Sequence, residues 1–327
     1  MMSISPVESI FTLLNETAEE IQRVHSISYL EALAESGEHW FTETVEETDP
    51  ELKRKLEDRY ASLQLESFSQ DDRRKAFQLA VLKGMKEHTQ PNHQMTPDSI
   101  AMVIGYLLEK FTQGQEKITL LDPALGTGNL VLSIMNQLNG KVEVAHGVEI
   151  DEVLIRLAYT GANLSEQPIH LYTQDSLEPL FIDPADAVVS DLPVGYYPND
   201  TRAADYKLQA KEGHSYAHHL FIEQSLKHVK KSGYLFFLVP NGLFESPLSG
   251  QLHEFLKEEA HIQGLIKLPQ SLFKNEQSAK SILILQKQGE NTKPPKQVLL
   301  AEMPKLSNGP AVQNMMTKIQ QWMKENK

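Results

Sequence analysis

The fold is decided at Leu120-Leu121-Asp122-Pro123-Ala124-Leu125-Gly126-Thr127-Gly128, where an apolar run ends in an acidic residue and opens into a loop with two glycines. Glycine has no Cβ, so Gly126 and Gly128 allow a ligand to approach the backbone and accept dihedral angles that a side chain would penalise. The pattern is not the G-x-G-x-x-G dinucleotide fingerprint, because Val131 stands at the third glycine position. The glycines alone are equally compatible with a ligand-binding loop and with a tight strand-to-helix turn.

Downstream of this loop, short apolar runs alternate with helical patterns, as in folds built from strand–helix–strand units. Strands are predicted near 118–121, 142–149, 169–173, 187–190, 233–239, 262–268 and 280–286. Parallel strands need crossover connections, so the alternation predicts an α/β fold with a seven-stranded, mostly parallel sheet and helices on both faces. The stretch from Val194 to Ser215 shows no clear periodicity, which predicts a lid or a binding loop.

Upstream, about ninety residues show helical periodicity and no strand signal. Asp49-Pro50 predicts a capped helix start, Gly37 and Gly84 predict interruptions, and the charged run 71–75 predicts a solvated helix face. A polar stretch at 87–94 indicates a boundary. We expect a helical amino-terminal domain over residues 1–92, the α/β domain over 93–290, and a strand and helix over 291–327 packed on it.

Composition limits the classes of protein that the chain can belong to. It has 327 residues, 40% hydrophobic and 23% charged, as in globular proteins, and no apolar run approaches the ~20 residues of a membrane span. The first residues carry no basic region followed by an apolar block, so we expect a cytoplasmic protein. The absence of cysteine excludes disulfides and thiolate chemistry. A formal net charge of −13 argues mildly against a nucleic-acid partner, although a local basic groove would suffice to bind one.

Acidic residues also follow the next three predicted strands. Glu149 ends the second strand, Asp175 follows the third and Asp191 ends the fourth. Open parallel sheets bind ligands at the carboxyl ends of their strands, so these side chains are expected to line one cleft. Glu149 lies where a carboxylate accepts hydrogen bonds from two ribose hydroxyls, and Asp175 is a candidate acceptor for an adenine amino group. Asp151 precedes an apolar helical pattern and is predicted to cap that helix.

Several segments together resemble the gamma group of amino-methylating DNA methyltransferases, above all the modification subunits of type I restriction systems. The similar segments are Thr96-Pro97, Asp122 to Gly128, Asp191 to Gly195, Leu238 to Gly242 and Leu268 to Leu285. Within that group the chain is most similar to the small stand-alone YtxK-like proteins of Bacillus relatives, and the match covers roughly 94–287. The resemblance implies a bacterial, Rossmann-like S-adenosylmethionine (SAM)-dependent methyltransferase of class I. It further implies that the last of seven strands runs antiparallel, and that the acceptor is an exocyclic amine.

By position, the resemblance also assigns roles to individual residues. The family has a catalytic tetrapeptide of Asn, Asp or Ser, two prolines and an aromatic residue, which orients the amine lone pair toward the sulfonium methyl. Asp191 is implied to accept the amine hydrogens, Leu192 to supply a carbonyl and Pro193 to stiffen the turn. No metal is required. With the strand-end residues included, the expected cofactor contacts are Thr96, Pro97, Asp122, Ala124, Gly126, Gly128, Asn129, Glu149, Ile150, Asp175 and Ser176.

The tetrapeptide departs from the family pattern at two positions. Leu192 replaces the first proline and Val194 replaces the aromatic residue, which in the family stacks on a base flipped out of the duplex. Valine has no π face, and stacking is worth ~1–3 kcal/mol per base. Tyr196 and Tyr197 are close enough to substitute, although packing is the simpler role for either. Val194, Tyr196 and Tyr197 are the candidate substrate-binding residues.

The remaining features are assigned no catalytic role. His214, His218 and His219 have a spacing compatible with metal ligands, but no third ligand accompanies them, so helix-terminal or surface positions are predicted. Trp40 and Trp322 are predicted to pack. About forty residues follow the seventh strand, enough for a strand at 298–301 and a helix near 315–323 but too few for a separate target-recognition domain. A homodimer is compatible with the sequence, but nothing in it supports one.

Three functions therefore stay open on the sequence alone. The first is methylation of an exocyclic amine, adenine N6 in DNA, with DNA as the partner. The second is methylation of a protein glutamine or an RNA base, and the third is a SAM-binding regulatory module with weakened catalysis. The segments between 238 and 285 favour the first, whereas Val194 and the missing recognition domain favour the others.

Overall fold

The structure, a computed structural model, describes residues 5–87 and 95–326. Its amino-terminal unit is helical, with α1 (Pro6–His25), α2 (Tyr29–Thr42), α3 (Pro50–Tyr60), a 3-10 turn at Leu65–Ser67, and α4 (Gln70–Glu87). Asp49 caps α3 as predicted, because its Oδ1 accepts the backbone N–H groups of Glu51 and Leu52 at 2.8 and 3.2 Å. The predicted domain boundary at 92/93 lies outside the described residues, and the division into three segments stays a prediction.

The second unit has a central sheet with helices on both faces. In chain order it contains α5 (Asp98–Phe111), β1 (Ile118–Asp122), α6 (Asn129–Leu138), β2 (Val142–Glu149), α7 (Glu152–Leu164), β3 (Ile169–Thr173), β4 (Ala185–Asp191), α8 (Asp200–Ala203), α9 (Ala217–Lys227), β5 (Val229–Pro240), α10 (Ser249–Glu259), β6 (Ala260–Lys267), β7 (Lys280–Lys287), β8 (Leu299–Glu302) and α11 (Gly309–Asn326). The strand order is β3-β2-β1-β4-β5-β7-β6-β8. β7 is antiparallel to both neighbours, as predicted, and the other pairings are parallel.

The sheet has eight strands rather than the seven predicted. β8 pairs in parallel with β6, with Leu299 opposite Gly264, so the carboxyl-terminal strand extends the sheet itself. The physical reason is that β6 would otherwise be an open edge, and an edge strand presents unpaired N–H and C=O groups. The side chain of Leu299 is buried in the core on the α5 and α11 side.

The position of the site follows from the order of the central strands. β1 leads through α6 to β2 on one side, whereas β4 lies on the other side of β1 and leads on to β5. The chain therefore changes direction between β1 and β4, and ligands of such sheets bind at the carboxyl ends of the strands at this switch point. Asp122 is the last residue of β1 and Asp191 the last of β4.

The helical unit and the sheet unit share a hydrophobic core. Ile10, Leu14, Leu33 and other buried residues of α1 to α4 pack together with Leu157 of α7. Gly37 lies inside α2 and not at an interruption, and the same is true of Gly84 in α4. Both predicted interruptions are wrong, because these glycines allow close packing between helices: a Cβ on Gly37 would lie 2.3 Å from Thr160 Cγ2.

The charged run 71–75 is not a solvated face, contrary to the prediction. Arg73 and Arg74 are buried, and Arg73 pairs with Glu166 at 2.8 Å. The Arg74 guanidinium donates to both carboxylate oxygens of Asp98 at 3.1 and 2.9 Å. α4 faces the second unit, whose acidic residues compensate the two guanidinium charges, and a single helix sequence does not reveal such partners.

Packing roles were predicted for both tryptophans, and both are buried. Their indole N–H groups donate to backbone carbonyls, Trp40 to Leu63 at 3.1 Å and Trp322 to Gln297 at 2.7 Å. Among the described residues, no helix combines the length and the apolar character needed to cross a membrane.

Gly37→Ala is expected to destabilise the protein by ~1–3 kcal/mol, because the new methyl group overpacks the contact between α2 and α7. Thr160→Ser removes the methyl group that it would strike, so the double variant should be more stable in urea than Gly37→Ala alone. Gly250→Ala in α10 is the matched control, since nothing lies within 4 Å of its Cβ position. A Gly37→Ala protein as stable as the wild type would contradict this packing.

Candidate active site

The loop after β1 has two glycines with different surroundings. Gly126 and Gly128 both have positive φ, 59° and 77°. No atom lies within 4 Å of a Cβ built on Gly126, whereas a Cβ on Gly128 would lie 3.1 Å from Ala158 Cβ. Gly128 therefore serves the close packing of α6 against α7, and Gly126 leaves open space in which a ligand can approach the loop.

Asp122 lies beneath this loop and is 1% exposed. Its Oδ1 accepts the Ser190 hydroxyl of β4 at 2.7 Å and the backbone N–H of Ala124 at 3.0 Å. Burial raises the pKa of Asp122 to about 7; the two hydrogen bonds oppose this shift, and the charges of Asp191 and Glu149 add to it. Among the described residues, no cation contributes to the pKa of Asp122, and the charged neighbours that do contribute are both acidic.

Glu149 joins the end of β2 to the glycine loop. Its Oε2 accepts the Gly126 N–H at 2.8 Å, and its Oε1 accepts the N–H groups of Ile150 and Asp151 at 2.9 and 3.0 Å. Each carboxylate oxygen has two lone pairs, so Oε2 retains capacity for a ligand hydroxyl. Ile150 beside it is 65% exposed. Asp151 caps α7 as predicted, accepting from Val153 and Leu154 at 2.9 and 3.0 Å.

Asp175 is half-buried after β3. Its Oδ1 accepts the Leu177 N–H at 2.9 Å and its Oδ2 accepts the Tyr197 hydroxyl at 2.6 Å. Tyr197 is buried, and burial together with the Asp175 charge raises the pKa of its hydroxyl well above the usual value. Ser176 is also buried, and its hydroxyl donates to the Pro123 carbonyl. Tyr197 and Ser176 therefore support the turn that holds Asp175.

Asp191 is held from two sides. Its Oδ2 accepts the Thr96 hydroxyl at 3.0 Å, and its Oδ1 accepts a hydrogen bond from Lys280, the first residue of β7. The adjoining Leu192 is buried, and its N–H donates to the Leu238 carbonyl of β5 at 3.2 Å. The leucine thus packs where the family has a proline. Lys280 was not singled out in the sequence, because only the order β4-β5-β7 brings it to Asp191.

The Thr96 segment is anchored by a buried network. Asn129 Nδ2 donates to the Thr96 carbonyl at 2.7 Å and to Asp98 Oδ1 at 3.1 Å. Asp98 in turn accepts the Ser133 hydroxyl at 2.9 Å and the Arg74 guanidinium. Burial opposes ionisation of Asp98, but the hydrogen bonds and charge of Arg74 hold its pKa below the usual value. The Asn129 side chain therefore positions Thr96.

The surface beside the Asp191 turn is aromatic despite Val194, which is itself exposed. Tyr196 is 62% exposed, and its ring stacks on Tyr216 at a centroid distance of 5.1 Å and an interplanar angle of 12°. Tyr216 stacks in turn on His218 at 5.2 Å and 25°. The structure thus separates the two candidates, with Tyr197 packed inside and Tyr196 open to solvent.

The remaining predicted residues lie at the same edge of the sheet, where its strands end. Pro97 is exposed, and Ala124 and Pro193 are half-buried.

The histidines were predicted at helix-terminal or surface positions. His218 and His219 lie in the first turn of α9 but are buried, so the surface alternative is wrong for them; α9 packs there against the core. Burial lowers their pKa values to about 4 and about 3, with smaller contributions from the charges of Lys280 and His218 respectively. His214 is exposed and pairs with Asp200 at 3.0 Å. In the described part of the chain, the three residues that bring metal-ligating atoms within 4.8 Å of one another are His25, Glu35 and Glu47, in the helical unit.

Comparison with known proteins agrees with both halves of this architecture. Residues 8–85 match the family described as the YtxK N-terminal helical domain, and residues 85–325 match the N-6 DNA Methylase family. The Bacillus subtilis (strain 168) protein YtxK, of uncharacterised function, is 53% identical over 324 residues, or 98% of each chain. A crystal structure from Listeria monocytogenes, of a proposed class I S-adenosylmethionine-dependent methyltransferase, is 46% identical with a TM-score of 0.92, covering 98% of this chain and 100% of that one.

A more distant match shows the fold alone. The methyltransferase subunit of a type I restriction-modification system from Streptococcus thermophilus has a TM-score of 0.67 at 18% identity, with 98% of this chain and 75% of that one covered.

Asp122→Asn is expected to change how stability depends on pH. The folded-state pKa of about 7 exceeds the ordinary value near 4, so the folded protein holds a proton that the unfolded chain releases. The stability contributed by this group is therefore complete below about pH 4 and is lost as the pH rises toward 7. Asparagine does not titrate, so the stability of the variant relative to the wild type should rise by about 3 kcal/mol between pH 5 and pH 8. Urea unfolding of the cofactor-free protein measures this, with Asp200→Asn on the surface as control. Parallel stability curves for wild type and Asp122→Asn would rule out the raised pKa.

Proposed function

The chain belongs to the N-6 DNA methylase family, and from this premise we propose that it transfers a methyl group from SAM to an exocyclic amine, adenine N6 in DNA. Family membership makes the chain a methyltransferase with SAM as its cofactor. The acceptor and the roles of individual residues are our proposal. Bound SAM supplies an electrophilic methyl group on a positively charged sulfur.

The residues at the switch point fit this cofactor. The open space at Gly126 admits a ligand against the backbone, and Glu149 retains a lone pair for a ribose hydroxyl. Exposed Ile150 offers an apolar surface to an adenine ring, with Asp175 at the end of the next strand. Asp122 is a buried carboxylate that lacks a cationic partner within the described chain, which suits the ammonium group of the methionine moiety.

The single observation that carries the acceptor half is the position of Asp191. It ends β4 at the switch point, keeps a side chain 21% exposed, and is hydrogen bonded by Thr96, one of the expected cofactor contacts. The lone pair of an adenine amino group is delocalised into the ring. By accepting its hydrogens, Asp191 and the Leu192 carbonyl would orient that lone pair toward the methyl group.

Two observations favour a second acceptor class. Val194 is exposed at the position where the family stacks an aromatic side chain on the base, and the net charge of −13 is unfavourable for DNA. A protein glutamine amide needs no stacking surface and presents the same planar NH2 group. Protein glutamine is therefore the alternative acceptor that these observations favour.

Ile150→Ala tests the cofactor half of the site. Losing ~50 Å² of apolar contact at about 25 cal/mol per Å² should weaken SAM binding about 5- to 10-fold by calorimetry. The melting temperature of the cofactor-free protein should hardly change, because the side chain is 65% exposed. Phe181→Ala is the matched control: Phe181 is 96% exposed and precedes β4, away from the carboxyl ends. Equal affinities for wild type and Ile150→Ala would remove Ile150 from the cofactor site.

Asp191→Ala tests the acceptor half. Labelled-methyl transfer from SAM to DNA should fall about 100- to 1000-fold, with SAM affinity retained within about threefold, because the variant loses an interaction with the reacting amine. Asp200→Ala, an exposed aspartate in the same loop region, should keep full activity.

Parallel assays with RNA and with cell-extract protein separate the alternatives. Transfer to either of these but not to DNA would replace the proposed acceptor. Tight SAM binding without transfer to any of the three would identify a regulatory module instead.

A further inference from the structure

Resting on the proposed function, we propose that Lys280 is a specificity-determining residue that reads the hydrogen-bond acceptor next to the target amine, ring atom N1 in adenine. Asp191 and Lys280 would then recognise the two neighbouring atoms together, the carboxylate taking the amine hydrogen and the ammonium donating to the acceptor. The structural basis is the contact between Lys280 Nζ and Asp191 Oδ1 at the mouth of the site.

The sheet itself brings the two side chains together. β7 runs antiparallel to β5 with Lys280 opposite Pro240, so that β7 begins at the edge where β4 and β5 end. Asp191 in β4 pairs with Leu238 in β5. The side chains of Lys280 and Asp191 are 23% and 21% exposed, so both reach the cleft.

The hydrogen-bonding capacity of the pair is not exhausted. An ammonium has three donors and no acceptor, and Asp191 occupies one of the three. Asp191 Oδ2 is used by Thr96, which leaves the carboxylate with further lone pairs. The pair therefore presents a donor beside an acceptor.

This arrangement selects among methyl acceptors by their chemistry. The Watson–Crick edge of adenine presents the N6 donor next to the N1 acceptor, and cytosine presents N4 next to N3 in the same way. A carboxamide also has an amine beside an acceptor, its carbonyl oxygen. The amine of a lysine side chain has no such neighbour and would leave the ammonium of Lys280 without its second partner.

His218 adds no positive charge beside Lys280. It is buried in the first turn of α9, and burial, with a smaller contribution from the Lys280 charge, lowers the pKa of His218 to about 4. The imidazole is therefore neutral at physiological pH.

The test compares oligonucleotides whose target adenine is intact or is replaced by 1-deazaadenine, which keeps N6 and lacks N1. For the full-length wild type, kcat/KM for methyl transfer should be about 10- to 100-fold lower with 1-deazaadenine, as expected for the loss of one base-edge contact. For Lys280→Met, which keeps the length of the side chain and lacks the donor, the two substrates should differ less than threefold. Comparing the ratios cancels the effect of the deaza substitution on the amine itself.

Two controls accompany this comparison. 7-Deazaadenine lacks a nitrogen on the opposite edge and should behave like adenine with both proteins. Lys230→Met removes an exposed lysine that pairs with Asp186 at 2.8 Å, and it should discriminate like the wild type. Lys280→Met should also keep wild-type SAM affinity by calorimetry. If it still discriminates against 1-deazaadenine, or if the wild type does not, Lys280 only neutralises Asp191 and the inference is overturned.

A failure of the proposed function would give different results from a failure of the role proposed for Lys280. If DNA adenine is not methylated but cytosine is, and Lys280→Met abolishes discrimination against 3-deazacytosine, the adenine proposal falls and the role of Lys280 stands. Equilibrium binding of the same oligonucleotides in the presence of S-adenosylhomocysteine, which has no methyl group to transfer, gives a readout without turnover. If neither binding nor transfer distinguishes intact from deaza bases in the wild type, the role of Lys280 is wrong.

Discussion

The parallel pairing of β1 with β4 is the constraint on which the rest of the site depends. Because these neighbours lead to opposite halves of the sheet, the segments that follow them diverge at the carboxyl ends and leave a cleft between them. The hydrogen bond from Ser190 in β4 to Asp122 in β1 joins the two strand ends beneath that cleft. The glycine loop continues from one strand and the Asp191 turn from the other, so a single pairing sets the distance between them.

The features that were predicted from the sequence are local in the chain. Asp49 and Asp151 bond to N–H groups two and three residues ahead, so a short window contains all the information. The strands were predicted from short apolar runs, and the acids at their ends from the residues directly after those runs. Both predictions therefore also used only neighbouring residues. The alternation of short apolar runs with helical patterns along the chain was almost enough to predict the fold class.

The features that sequence reasoning missed depend on contacts between distant segments. Arg74 looks like a surface residue until Asp98 and Ser133 are placed against it from the other unit. Lys280 reaches Asp191 only because β7 inserts between β5 and β6, and an order in which β6 lay next to β5 would have kept them apart. The eighth strand was predicted at 298–301, one residue before its position in the structure, but its partner β6 lies more than thirty residues away along the chain.

The shared core between the helical unit and α7 has a consequence for how the protein unfolds. Leu157 and Leu164 of α7 are buried among side chains of α1 to α4, so melting of the helices would expose an apolar face of the sheet unit to water. The helical unit shares this cluster with α7, whereas the sheet unit has two further buried clusters made of its own residues. Loss of the helical unit would therefore uncover α7 and leave the core of the sheet in place.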